Sequence, residues 1–125
     1  MNHFIIQAQL PSLNDYQSAC RSSWQTGAKF KREQEVLICN YIRVALLKKT
    51  LQRVNDPCEI YIEWHEATKR RDVDNIQSAQ KFILDALQSE GVIANDSRRY
   101  VKQIHHTVVD DTSDFVTVCI KEVEK

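Results

Sequence analysis

The chain has 125 residues, of which 42% are hydrophobic and 27% charged, and this composition predicts one soluble globular domain over residues 1–125. The chain has 17 basic residues (Lys and Arg) and 17 acidic residues (Asp and Glu). This balance of charge argues against nucleic-acid binding by net positive charge but is compatible with a local basic surface. No apolar run approaches the roughly 20 residues that span a bilayer, and the N-terminal stretch has no signal-peptide pattern, so a cytoplasmic protein without membrane partners is expected.

The composition also narrows the possible chemistry. The four cysteines are scattered and form no C-x-x-C pair, so a zinc site is not expected, and Cys39 and Cys119 are interpreted as reduced core residues. Gly27 and Gly91 are the only glycines, which excludes a glycine-rich phosphate-binding loop. The histidines stand at no spacing typical of a Ser-His-Asp or Cys-His catalytic set.

The first third of the chain predicts one strand, one loop and one helix. Residues 3–10 (HFIIQAQL) are short and apolar and predict a strand that Pro11 ends. Residues 11–30 contain turn formers and scattered aromatics and predict a long loop, and a loop of this length in a compact domain is usually functional or mobile. Apolar residues three and four apart then predict an amphipathic helix over residues 31–54. The apolar positions of this helix are Val36, Leu37, Tyr41, Val44, Ala45, Leu47 and Leu51.

The middle of the chain predicts a second strand and a second helix. Residues 58–67 alternate between apolar and polar, which is typical of a strand with one wet face. The side chains on its apolar face are Ile60, Ile62 and Trp64. The second helix is expected from Asn75 to Glu90, with Gly91 in the left-handed position just after it.

The last part predicts two further strands at residues 100–109 and 115–123, which residues 110–114 (DDTSD) join as a hairpin. The complete order is then β-α-β-α-β-β. This order predicts an α+β fold in which two helices pack on a small mixed sheet.

The second helix carries a polar stripe that lies in line with the aspartate before it. At about 100° per residue, Lys81 and Asp85 fall within about 40° of Asp74 and opposite the apolar face. The apolar face comprises Ile76, Ala79, Ile83, Ala86 and Leu87. Lys81 lies about 10 Å beyond Asp74, so it can point back toward the helix start while Asp85 orients its ammonium.

Two interpretations of this segment stay open. In the first, Asp74 is an N-cap, Gln77 completes a capping box, and Lys81 forms a solvated pair with Asp85. In the second, Asp72 projects to the same side as Asp74 because the chain there is extended. Two carboxylates so close together repel unless they share a proton or bind a cation, and Mg²⁺ prefers such oxygen ligands.

A third carboxylate, Asp96, follows Gly91 by enough residues for the chain to run back about 17 Å along the helix toward the first two. Without the first motif, Asn95 and Asp96 would be interpreted as a simple turn. Basic residues flank both acidic positions: Lys69, Arg70 and Arg71 precede the first, and Arg98 and Arg99 follow the second. Carboxylates ringed by cations indicate a metal-dependent site for a phosphodiester, in which Lys81 stabilises developing charge.

Aromatic and basic side chains are also interleaved between residues 13 and 32. They are Tyr16, Arg21, Trp24, Lys29, Lys31 and Arg32. Such a mixture suits contacts with a nucleic-acid backbone and with exposed bases. A solvated loop with Trp24 packed on the core is the alternative.

These motifs together resemble the RusA family of Holliday junction resolvases. The matching core is RRDVDNIQSAQKFILDALQSEGVIANDSRRYV, and Asn14 and Tyr16 in LPSLNDY are similar to the family's Asn-x-Tyr loop. Many members carry a lysine where this chain has Ser78, and the later Asp pair of the family corresponds to Asn95 and Asp96 here. The resemblance implies a RusA-like fold and a homodimer that nicks four-way junctions symmetrically with Mg²⁺, or with Mn²⁺ in its place.

By this resemblance, the catalytic and metal-binding aspartates are Asp72, Asp74 and Asp96, with Lys81 as the catalytic lysine. The side chains expected to contact four-way or otherwise branched DNA are Asn14, Tyr16, Arg21, Lys29, Lys31, Arg32, Lys69, Arg70, Arg71, Asn75 and Arg98. The expected function is a Mg²⁺-dependent endodeoxyribonuclease of DNA recombination and repair. The alternative is a non-catalytic protein of the same fold that binds branched DNA or acts as a regulatory protein.

Overall fold

The computed structural model describes residues 2–123, whose helices cover one face of a single four-stranded sheet. The elements are β1 (His3–Ile6), α1 (Leu13–Ser22), α2 (Trp24–Lys48), β2 (Cys58–Glu66), α3 (Val73–Gln77), α4 (Gln80–Ser89), β3 (Val101–Asp110) and β4 (Phe115–Glu122). The strand order is β1-β4-β2-β3, with β2 parallel to β3 and β4 antiparallel to both β1 and β2. The predicted α+β class and mixed sheet are confirmed.

Strand β2 shows why one face of the sheet is apolar. Ile60, Ile62 and Trp64 point into the core and are at most 1% exposed. Tyr61 and Glu63 point the other way and are exposed, because none of the helices in residues 2–123 covers that face. The predicted alternation of β2 is therefore confirmed, and its cause is burial on one side only.

The predicted hairpin between the last two strands is wrong, because β2 lies between β3 and β4. Asp110 pairs with Glu66 at one edge of β2, and Phe115 pairs with His65 at the other. The connection therefore crosses the end of β2, a distance of about 10 Å that four residues can span. The turn formers of residues 111–114 indicate a reversal of the chain but carry no information on which strand lies beside which.

The prediction of a loop over residues 11–30 is also wrong, because these residues form α1 and the start of α2. Ser12 Oγ accepts a hydrogen bond from Asp15 N at 3.2 Å, and Asp15 Oδ2 accepts one from Ser12 N at 2.9 Å, so a capping box begins α1. Ser23 Oγ accepts from Thr26 N at 3.0 Å and begins α2. The polar residues that suggested a loop are thus helix caps, and none of the residues of α1 is fully buried.

The first strand and first predicted helix are both displaced from their expected bounds. β1 ends at Ile6 rather than at residue 10, and α2 begins at Trp24 and ends at Lys48. Lys49 ends α2 in the left-handed conformation, with φ of 62°. The buried residues of α2 are Gly27, Ile38, Cys39, Ile42 and Ala45. Three of the expected core positions are instead exposed, namely Val36, Val44 and Leu47. The helix carries apolar residues on two faces, and periodicity alone does not identify the buried one.

The second predicted helix is confirmed in position but divided into α3 and α4. Ser78 Oγ donates to Asn75 O at 2.6 Å and accepts from Leu13 N at 3.1 Å, at the junction of the two helices. The predicted apolar face is buried in full, from Ile76 to Leu87. Gly91 adopts a φ of 70°, as expected for the residue after the helix.

Cys39 fits its interpretation as a core residue, since it is 5% exposed. Burial raises the pKa of the Cys39 thiol to about 11, so the group is protonated at neutral pH and packs as a small apolar side chain. Cys119, on β4, is half-buried.

Gly27 lies at a close approach of α2 to α1, and a Cβ there would be 2.5 Å from Cys20 Sγ and 3.0 Å from Cys20 Cα. We expect Gly27→Ala to lower the free energy of unfolding by about 1–3 kcal/mol, since overpacking outweighs the gain of about 1 kcal/mol in helix propensity. Urea denaturation measures the change. Adding Cys20→Ala removes the nearest clash and should recover part of the loss, whereas a stable Gly27→Ala variant would contradict the close approach.

Candidate metal and nucleic-acid site

Asp72 and Asp74 lie at the start of α3, and both are exposed. Asp72 occupies the N-cap position with extended backbone, and its carbonyl accepts from Ile76 N at 3.1 Å, but its side chain makes no capping hydrogen bond. Asp74 lies in the first turn, where its Oδ1 accepts from Asn75 N at 3.0 Å. The capping box with Asp74 as N-cap and Gln77 as its partner is therefore not formed. The helix start leaves the Asp72 carboxylate uncommitted.

Asp96 lies in the irregular segment after α4, where it is also exposed. The preceding Asn95 forms a local turn, with its Oδ1 accepting from Ser97 N at 2.8 Å. Within residues 2–123, neither Asp72 nor Asp96 forms a side-chain hydrogen bond or an ion pair. In the same range, no three His, Cys, Asp or Glu side chains are grouped so that they could hold a metal ion. Asp72 and Asp74 are thus close to each other because they are two residues apart in the sequence. Within residues 2–123, the structure does not bring them together with Asp96 into a group that could hold a metal ion.

The side chain of Arg71, which precedes Asp72, forms hydrogen bonds with the buried residues Glu66 and Leu10. Its Nε and Nη2 donate to Glu66 Oε1 and Oε2 at 3.0 and 3.1 Å, and its Nη1 donates to Leu10 O at 2.9 Å. Glu66 is only 4% exposed and also accepts from Gln9 Nε2 at 3.3 Å. Arg71 therefore joins the end of β2, the β1–α1 connection and the segment that leads into α3. Its guanidinium is occupied by these contacts.

This anchor is not among the features predicted above, although the sequence of β2 carries one signal for it. Positions 58, 60, 62 and 64 of β2 point into the core, so the same alternation directs Glu66 inward. A carboxylate that is buried in this way needs a cation or several donors to compensate its charge. The neighbouring basic residues differ from Arg71: Arg70 is exposed, and Lys69 Nζ lies 3.8 Å from Asp110 Oδ2 at the surface.

Two predicted site residues from distant parts of the chain contact each other. Asn14 Nδ2, in the first turn of α1, donates to Asn75 Oδ1 in α3 at 3.0 Å. The hydrogen bond between Leu13 N and Ser78 Oγ lies beside it. The N-terminus of α1 is therefore held against the helix that follows Asp72. This contact brings the LPSLNDY and DVDN segments of the sequence to one surface.

The Tyr16 side chain is half-buried and packs against other aromatic rings. Its ring centroid lies 6.1 Å from the rings of both Phe30 and Phe82, so it packs α1 against α2 and α4. A hydrogen bond with Cys20 raises the pKa of the Tyr16 hydroxyl. Trp24, by contrast, is 76% exposed, so the alternative in which it packs on the core is wrong.

Lys81 donates a hydrogen bond from Nζ to Asp85 Oδ1 at 3.1 Å. The expectation that Asp85 orients the ammonium is confirmed, and the ammonium bonds to the following turn of α4 rather than to Asp74. Both side chains line an open polar cleft of about 340 Å³ between α2 and α4. Lys31 of α2 lines the same cleft, so two cations from different helices share it.

The remaining predicted DNA contacts lie on the surface in separate places. Arg21 is exposed in the last turn of α1, and Lys29 and Arg32 are exposed on α2. Lys29 Nζ is 3.9 Å from Glu33 Oε1, a solvated pair of little energetic weight. Arg98 is exposed after Asp96, and the Arg99 guanidinium lies 5.5 Å from the centre of the Tyr100 ring.

A half-buried histidine, His106, joins the sheet to the start of α4. Trp64 Nε1 donates to His106 Nδ1 at 2.9 Å, and His106 Nε2 lies 2.8 Å from Gln80 Oε1. The indole N–H is only a donor, so Nδ1 carries no proton and Nε2 donates to Gln80. Burial lowers the pKa of His106, and the nearby His105 lowers it further. The imidazole is therefore neutral, and the Lys81 turn of α4 is linked to the core through Gln80.

The comparison of this sequence with protein-family models gave no match, and the comparison with curated proteins gave none either. Among residues 2–123, no helix has the length and the apolar character that crossing a membrane requires.

Arg71→Ala should destabilise the fold by about 3–5 kcal/mol, because it leaves the Glu66 carboxylate buried without its cation. Arg70→Ala is the matched control, since the adjacent side chain is exposed, and its effect should stay within about 0.5 kcal/mol. Urea denaturation of both variants measures the difference. Equal effects of the two substitutions would show that the Arg71–Glu66 pair does not hold this segment.

The neutral His106 should make stability depend on pH. An unfolded histidine has a pKa of about 6.5, and the folded pKa is lower, so the unfolded state takes up the proton first as pH falls. The contribution of His106 is thus complete above about pH 6.5 and is lost as pH falls from there toward the folded pKa.

His106→Asn keeps an acceptor near Trp64 and cannot titrate in this range. Between about pH 7.5 and about pH 5.5, the wild-type protein should therefore lose more unfolding free energy than this variant, by about 1.4 kcal/mol per unit of pKa difference. Urea unfolding at the two pH values measures both losses, and identical losses would contradict the neutral assignment.

Proposed function

We propose that this protein is a metal-dependent endodeoxyribonuclease of the RusA type, which resolves Holliday junctions by paired symmetric nicks in DNA recombination and repair. It acts as a homodimer and uses Mg²⁺, for which Mn²⁺ substitutes. The observation that carries the proposal is the exposed carboxylate pair of Asp72 and Asp74, because Asp72 stands at a helix start without capping it. Asp74 forms only a local hydrogen bond with Asn75 N, so two exposed anionic groups two residues apart are available to a cation.

The donor chemistry of the site fits a hard divalent ion. Asp72, Asp74 and Asp96 offer carboxylate oxygens on the surface, which are the ligands that Mg²⁺ prefers. When bound, the ion would neutralise the scissile phosphate and lower the pKa of a water molecule. The proposal requires all three carboxylates to meet at one ion. Crystals soaked in Mn²⁺ test this requirement through an anomalous peak next to Asp72.

The side chains around the aspartates support a phosphodiester substrate. The Arg71 anchor fixes the segment that carries Asp72, so the carboxylate is presented from a rigid base. The contact between Asn14 and Asn75 holds a second polar segment beside it. Hydrogen-bond donors and acceptors of this kind suit phosphate and sugar contacts, which position a protein on DNA.

Lys81 would provide positive charge for the phosphoryl group or the leaving oxygen. Its ammonium is held by Asp85 at 3.1 Å, and both side chains line a cleft that Lys31 also lines. Lys31 and the neighbouring Arg32 extend the basic surface along α2 toward a DNA backbone. Arg71 is left out of these contacts, because its guanidinium is engaged with Glu66 and Leu10.

Asp72→Asn should abolish nicking of a synthetic four-way junction in Mg²⁺ while binding of the junction persists. The loss should exceed the roughly 10–100-fold that mutation of an outer-shell partner of a metal costs. Gel assays of cleavage and of binding measure the two properties, with linear duplex and Mg²⁺-free buffer as reference conditions.

Glu122→Gln is the matched control, because Glu122 is an exposed carboxylate whose strand partner is Cys58, at the other end of β2 from Glu66. This variant should cleave as the wild type does. Undiminished nicking by Asp72→Asn would refute the metal site. Junction binding by the wild type without any cleavage in Mg²⁺ or Mn²⁺ would favour the non-catalytic alternative.

A further inference from the structure

The C-terminal end of α2 and the segment that follows it combine apolar and basic side chains at the surface. Leu47 is 83% exposed and Val44 is 48% exposed. Leu46, beside them in the sequence, is half-buried. Four exposed basic residues accompany these side chains, namely Arg43, Lys48, Lys49 and Arg53. We name these three apolar and four basic residues the Leu47 patch.

The apolar side chains of the Leu47 patch form a ridge between two grooves. One groove, of about 350 Å³, runs between α2 and β1 on the Val44 side and is lined also by Lys48. The other groove has a volume of about 420 Å³, and its lining consists of Arg43, Leu46, Leu47, Arg53 and Glu90. Concave sites of roughly 300–1,000 Å³ that combine apolar walls with a few polar groups are typical of ligand binding. Each groove is therefore large enough for a bulky side chain of a partner.

The positive charge of the Leu47 patch is only partly compensated. Arg43 donates to both carboxylate oxygens of Glu90, at 2.8 and 2.9 Å. These hydrogen bonds lower the pKa of Glu90, and the charge of Arg53 lowers it further, so the carboxylate is ionised and neutralises one guanidinium. Within residues 2–123, neither Lys48 nor Lys49 forms an ion pair. The patch is thus locally basic on a chain whose net charge is zero.

The Leu47 patch lies at the opposite end of α4 from the candidate metal site. Asp72 stands at the start of α3, which precedes α4, whereas Glu90 follows the last residue of α4 and holds Arg43 of the patch. The ten residues of α4 rise by about 15 Å between these two ends. The patch and the aspartates are therefore separate surfaces.

We propose that the Leu47 patch binds an acidic segment of a partner protein, whose carboxylates meet the basic residues while a bulky apolar side chain packs beside Leu47 in the larger groove. Complementary charge selects the partner and speeds its association. An apolar anchor that fills a groove supplies most of the affinity of such an interface. The inference goes beyond the proposed nuclease activity and does not depend on it.

Other occupants match fewer features of the Leu47 patch. A nucleic-acid backbone would meet the cations but would leave Leu47 and Val44 without apolar contacts. A second copy of the patch would bring like charges together, which is unfavourable. A helix that lies in a bilayer surface needs a continuous apolar face, whereas Asn40 and Arg43 lie within about 40° of Leu47 on α2.

Selection from a library of random short peptides displayed on phage, with the full chain as the target and without DNA or metal, tests the proposal. The selected peptides should be rich in Asp and Glu around one aromatic or large aliphatic residue. Fluorescence anisotropy of a selected peptide, made synthetically, measures its affinity. The affinity should fall as the salt concentration rises, because salt screens exposed charges.

Two substitutions separate the apolar contribution from the charged one. Leu47→Ser should weaken binding of the selected peptide by about tenfold or more, since it removes the apolar contact. Lys48→Glu should also weaken it, because it places a like charge against the acidic peptide. Trp24→Gln and Lys121→Glu are the matched controls, since both residues are exposed outside the patch, and they should bind as the wild type does. Circular dichroism verifies that each variant is folded.

A selection that enriches no peptide, or that enriches peptides without acidic residues, would overturn the proposal. An equal effect of Leu47→Ser and Trp24→Gln on the affinity would overturn it as well. In either case, co-sedimentation with phosphatidylglycerol vesicles, gel shifts with duplex DNA and sedimentation equilibrium of the protein alone would show which other occupant the patch binds.

Discussion

The ion pair between the half-buried Arg71 and the buried Glu66 is the constraint on which the arrangement of the candidate site depends. Glu66 ends β2 in an inward position, where Arg71 compensates its charge by donating to both of its oxygens. The same guanidinium binds Leu10 O, so three separate segments of the chain are fixed relative to one another. Asp72 follows Arg71 directly in the sequence, and its position at the surface is a consequence of the contacts that hold Arg71 in place.

Patterns that arise from one-sided burial could be predicted from the sequence. The alternation in β2 and the apolar face from Ile76 to Leu87 both reflect contact with a single core, and both are confirmed. Features that depend on distant partners could not be predicted. The prediction of a hairpin is wrong because β2 lies between two strands that are neighbours in sequence. The prediction of a loop is wrong because Ser12 and Ser23 cap helices.

The same distinction applies to the candidate site. The pairing of Lys81 with Asp85 is local, since it follows from helical spacing, and it is confirmed. The contact of Asn14 with Asn75 joins two residues that are 61 positions apart in the sequence, and no local sequence pattern predicts it. The meeting of Asp96 with Asp72 depends likewise on the path of the chain after α4, and residues 2–123 show no such group of ligands.

The strand order has a consequence for how the chain reaches its folded state. β1 pairs only with β4, so His3 must find Cys119 near the opposite end of the sequence. During synthesis, β4 leaves the ribosome after the elements that precede it, and until then β1 lacks its partner strand. Closure of such a long loop is entropically costly and slow. The helices and the parallel pair of β2 and β3 can therefore assemble before β1 joins the sheet.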